Sequence, residues 1–120
     1  GPGVFGPPKD HEAALAVLSE ARSRTLGSRD AASWGVHFET NRIVLFKGPM
    51  FVDGTATNEE TQLASDVRIA AIALVGGGAE VRFDRLTGAT SQAGTVTMEH
   101  THDPSRVRTI TILATGIASL

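Results

Sequence analysis

Cysteine and tyrosine are absent from the 120 residues, a single tryptophan is present, and aromatic side chains make up 5% of the chain. Without cysteine there is no disulfide, no thiol nucleophile and no thiolate metal ligand, and the redox compartment is left open. Scarce aromatics leave few platforms on which nucleic-acid bases could stack. No apolar run approaches the roughly eighteen residues of a membrane-spanning helix. The longest, Ile69 to Gly78, ends in three glycines. Neither sign of charge dominates: 11 Lys and Arg against 13 Asp and Glu give a formal net charge of -2, which argues against a dedicated polyanion binder. What remains, 41% hydrophobic and 20% charged residues, is the composition of a folded globular domain. A chain of this length is expected to form one core and to bury roughly two thirds of the surface its unfolded form exposes.

Residues 1–8 read as a linker. Gly1-Pro2-Gly3 has the look of a protease-tag scar, and with Val4-Phe5-Gly6-Pro7-Pro8 it makes a lead that cannot be helical, so the natural N-terminus is expected further upstream. Residues 9–120 read as a single domain, with a helix at about 10–26 and a β-rich remainder at 33–120. Asp10 is placed to cap the helix and Glu12 to favour its positive end, while Gly27 supplies a left-handed stop. Ala14, Val17, Leu18, Ala21 and Thr25 follow the spacing of one helical face, which requires a sheet beneath it.

The remainder alternates at the period of strands. Val36 and Phe38 oppose His37 and Glu39, and Thr40-Asn41 turns the chain into Arg42 to Phe46, a predicted hairpin. Thr55 to Gln62, carrying Asn58, Glu59 and Glu60, reads as a polar surface loop. Val67 to Leu74 is apolar on both sides and reads as a central strand closed by Gly76-Gly77-Gly78. Val81 and Phe83 form the next strand. Thr95 to Glu99 and Arg106 to Leu113 give two more, separated by a loop at His100 to Ser105, and Ile117 to Leu120 ends against the sheet. The expectation is an α+β domain with one N-terminal amphipathic helix on antiparallel sheet, divided into two small sheets.

Residues able to do chemistry are few. His100 and His102 with Asp103 offer two imidazoles and a carboxylate to a divalent metal, but no third ligand with supporting spacing joins them, and a solvated hairpin loop explains them as well. Ser91, Ser105 and Ser119 lie in no nucleophile elbow. Gly76-Gly77-Gly78 lacks the following Lys-Ser/Thr pair of a phosphate cradle and reads as a turn. Asp84 with Asp66, or Glu59 with Glu60, are better read as solvated acids than as an acid–base pair. The chain therefore reads as non-enzymatic, with no cofactor and no small-molecule substrate.

Several of these segments, taken in order, carry a resemblance. A helix, Trp34-Gly35-Val36, Val81 to Gly88 ending in Thr87-Gly88, Gly94 to Met98, Arg108 to Ile112 and Thr115-Gly116-Ile117 together resemble the soluble part of type IV pilin-like proteins, most similar to GspH/FimT-type minor pseudopilins. The match covers nearly all of Asp10 to Leu120. The family's hallmark, a short leader followed by a long apolar helix half, is not in this sequence, and the resemblance implies that the helix at 10–26 would correspond to the exposed second half of such a helix.

The resemblance implies a pilin-like fold and a structural role as a pilin or minor pseudopilin of a type IV pilus or a type II secretion pseudopilus. It implies anchoring in the inner membrane through the missing helix before assembly, other pilin subunits as partners, and an extracellular or periplasmic filament as the location. Ala14, Val17, Leu18 and Ala21 would then form the filament-helix face. Some pilin-like subunits capture DNA, which makes DNA binding the alternative. Arg82, Arg106 and Arg108 are its candidate contacts, expected to share one strand face, with Arg22, Arg24 and Arg29 adding charge nearby.

Overall fold

Small residues let a helix lie close to a sheet, and the first element of this fold uses that. A computed structural model describes residues 10–120, so the predicted linker at 1–8 and Lys9 fall outside the described residues. Helix α1, Asp10–Leu26, buries Ala14, Leu18, Ala21 and Thr25 completely, while Val17 is half-buried. Thr25 fastens its end: the hydroxyl accepts the Trp34 backbone N–H at 2.8 Å and donates to the Ala21 carbonyl at 2.8 Å. Both predicted termini are made differently. The Asp10 carboxylate accepts the N–H of Ala64 at 2.9 Å, pinning a distant loop. Gly27 lies outside the left-handed region and its N–H extends the helical pattern to Ser23, so the left-handed reversal falls on Ser28 at φ 50°. Asp30 and Ala31, at φ 56° and 53°, follow it into the same region.

The chain then forms β1 (Trp34–Phe38), β2 (Arg42–Lys47), β3 (Glu59–Gln62), β4 (Val67–Leu74), β5 (Glu80–Arg82), β6 (Gly94–His100), β7 (Asp103–Ile112) and β8 (Ala118–Ser119). They make two four-stranded antiparallel sheets, ordered β3-β2-β1-β5 and β4-β6-β7-β8. The architecture is thus α+β, one helix followed by two antiparallel sheets. Inward side chains of both sheets meet under α1 in one core, with Val36, Ile43 and Val81 from the first and Val96, Ile110 and Ile112 from the second.

Three strand expectations are corrected. Residues 59–62 are not loop but the edge strand β3, paired to β2 from Arg42↔Gln62 to Leu45↔Glu59. An edge strand can be polar on the side it shows to water. β4 is not central but the edge of its sheet, and a bulge between Ile69 and Ala71 resets its alternation. Ala70 and Ala71 both face solvent, so Ile69 and Leu74 are buried despite opposite parity. The loop after β6 is only Thr101-His102, because β7 begins at Asp103. Pairing jumps from Glu99↔Val107 to His100↔Asp103, leaving Pro104, Ser105 and Arg106 as a bulge in which the missing N–H of proline breaks no ladder.

The outer face of the first sheet is covered as well. Val44 and Phe46 alternate with the inward Ile43 and Leu45 and are still buried. The segment after β2 folds back over them. Phe51 meets Phe46 edge-on at 6.1 Å and stacks on His37 at 3.9 Å. Gly35 makes the room: a Cβ there would lie 2.6 Å from the Phe46 ring and 2.8 Å from the Val81 carbonyl.

Candidate functional site

Where β7 outruns the helix, the core opens into a groove. Its volume is about 320 Å³, and it lies between the first residues of α1, the β6–β7 hairpin and the chain entering β4. Val67 and Met98 give it an apolar floor, and β7 passes it at Arg106 to Arg108. Arg108 pairs with the buried Met98 across the sheet and keeps the inward parity of Ile110 and Ile112, while Arg106 projects from the bulge. Both arginines are exposed and both line the groove.

The acids around them are already engaged. Asp66 bonds His100 Nε2 at 3.1 Å, Glu99 accepts from Arg68 Nε at 2.9 Å, and Asp10 holds the Ala64 N–H. Among the described residues neither Arg106 nor Arg108 has a carboxylate within ion-pair distance, and the one bond of the Arg108 side chain is to the Val107 carbonyl at 3.1 Å. Asp103 stays below the usual carboxylate range chiefly because the Ser105 hydroxyl donates to it, the charge of Arg106 adding a smaller part.

The sequence-predicted candidates scatter around this groove. His100 and His102 have ring centroids 6.3 Å apart, but His100 is committed to Asp66 and Asp103 to Ser105. Among the described residues no three His, Asp or Glu side chains are placed to hold a metal ion. The expected arginine face is split. Arg106 and Arg108 belong to β7 of the second sheet, whereas Arg82 lies on β5 of the first, because β5 pairs with β1.

Of the predicted filament-helix face, Ala14, Leu18 and Ala21 are buried in this chain's own core and Val17 is half-buried. Asp84 does not meet Asp66. Its carboxylate accepts the N–H groups of Leu86 at 2.8 Å and Thr87 at 3.0 Å, which holds its pKa low and closes a turn. Glu59 is paired with Arg24, which lowers its pKa, and Glu60 with Arg42 at 2.8 Å. Gly76 and Gly77 both take left-handed φ in a plain turn.

Two constellations were not foreseen. Arg22 reaches from α1 to the carbonyls of Gly88 (3.0 Å) and Thr115 (3.2 Å), tying the helix to two turns that touch each other. The only sequence trace is the pair of turn glycines, Gly88 and Gly116. Arg42 gathers Glu39 at 2.7 Å, Glu60 at 2.8 Å and Asp53 at 3.2 Å, and it is the main reason the Glu39 carboxyl is held below its ordinary range, with His37 at 3.0 Å a smaller one. Both are exposed or half-exposed networks that fasten loops, and surface pairs of this kind add little each. No protein family, curated protein or solved structure matches the chain.

Proposed function

We propose that this chain is the head of a pilin-like filament subunit, a pilin or minor pseudopilin of a type IV pilus or type II secretion pseudopilus. The observation that supports it most is the order and packing of the elements: a leading helix with its inner face buried under two antiparallel sheets, followed by strands only. In such a subunit the helix continues upstream as an apolar anchor, held in the inner membrane before assembly and bundled at the filament axis afterwards. The head then meets its neighbours through complementary surfaces and needs no chemistry of its own. With Ala14, Leu18 and Ala21 consumed internally, contact along the helix falls to its outer residues Glu12, Ala16, Ser19 and Ser23. The DNA-binding alternative loses support from the separation of Arg82 from Arg106 and Arg108.

The deciding experiment is to read the gene upstream of Lys9 and follow the full-length product in membrane fractions. A short basic leader followed by about twenty apolar residues continuous with α1, and a membrane-bound product, are expected. An upstream sequence without that apolar stretch overturns the reading.

A further inference from the structure

We propose that the groove between the start of α1 and the β6–β7 hairpin binds a single carboxylate carried on a small apolar group, held by Arg106 and Arg108. The site does not depend on the filament reading. Its two halves ask for different things of one ligand. The floor of Val67 and Met98 is apolar, and Val67 is only half-buried, so a small hydrophobic group gains by covering it. The wall carries two guanidiniums with no carboxylate of the described residues within ion-pair distance, and a guanidinium is the side chain that meets an oxygen anion with paired donors. About 320 Å³ is room for a side-chain-sized acid or the end of a peptide, not for a folded surface.

Charge narrows the class further. Asp10 and Asp66 line the same groove. Beside these two acids a phosphate dianion or a run of nucleic-acid phosphates meets repulsion that a monoanion with an apolar stem largely avoids. The same carboxylate can come from a free small acid or from the C-terminus of a peptide, and the test separates these sources.

The 120-residue chain is titrated, with backbone amide NMR shifts as the readout, against N-acetyl-leucine, its amide N-acetyl-leucinamide, inorganic phosphate, and a tetrapeptide ending in Ala-Leu with a free carboxyl. Saturable shifts at Val67, Glu99 and Val107 are expected with the acid or the peptide and not with the amide. The double variant R106Q/R108Q is expected to weaken binding about tenfold or more. Saturation by both carboxylates supports a site for any apolar monoanion, and saturation by the peptide alone assigns it to a chain terminus. Equal binding of the amide, tighter binding of phosphate, absence of saturation by either carboxylate, or undiminished binding by the variant overturns the proposal. Acid against amide needs no variant, so it stands even if the substitutions disturb the fold.

Discussion

Gly116 sits where the C-terminal turn presses on the turn at Gly88, and no side chain fits between them. Its φ is +89° and a Cβ would lie 1.9 Å from the Gly88 carbonyl oxygen, with Arg22 bridging the same two turns. Gly116→Ala is therefore expected to lose more than about 3 kcal/mol of unfolding free energy in urea, since left-handed strain and a backbone clash add. Gly76→Ala is the control. It has φ +93° but open space around it, and about 1 kcal/mol is expected. That both Thr87-Gly88 and Thr115-Gly116 are turns was legible from residue type alone. That they touch was not, because local turn chemistry carries no record of which distant backbone comes near.

At the scale of elements, β4 shows how counting by twos can mislead. Val67 to Leu74 reads as apolar on both sides, hence central, yet a single extra alanine does the same thing: it shifts the alternation midway and leaves Ile69 and Leu74 on one face of an edge strand. Deleting Ala70 restores strict alternation with the same residues inward, so that variant is expected to fold at a cost under about 1.5 kcal/mol. Deleting Ala73 instead turns Leu74 away from the core and is expected to cost about 3 kcal/mol, both read from urea midpoints. Helix α1 and the β1–β2 hairpin were legible because their periods are unbroken. β3 was hidden by its charges, which belong to an edge where Arg24 and Arg42 receive them. The groove was half legible: Arg106 and Arg108 stood out by parity, but the residues that oppose them come from α1 and β4, which no spacing connects.

For the whole molecule, the α+β class and the division into two sheets were legible, while the assignment of strands to sheets was not, and with it went the expected arginine face. The two sheets have one inner core between them, roofed by α1. Leu18, 1% exposed at the middle of that roof, is expected to cost about 3 kcal/mol when replaced by alanine. Unfolding followed by Trp34 fluorescence, which reports the first sheet, and by far-ultraviolet circular dichroism should keep one midpoint in the variant. Separate midpoints would mean that the sheets stand without each other. Beneath the first sheet, finally, an atom that is not there sets the geometry. Because position 35 has no Cβ, one phenyl ring slides under the strand and a second leans on it, so the domain owns an underside sealed by aromatics in a chain that has hardly any to spend. The hollow at position 35 admits hydrogen alone.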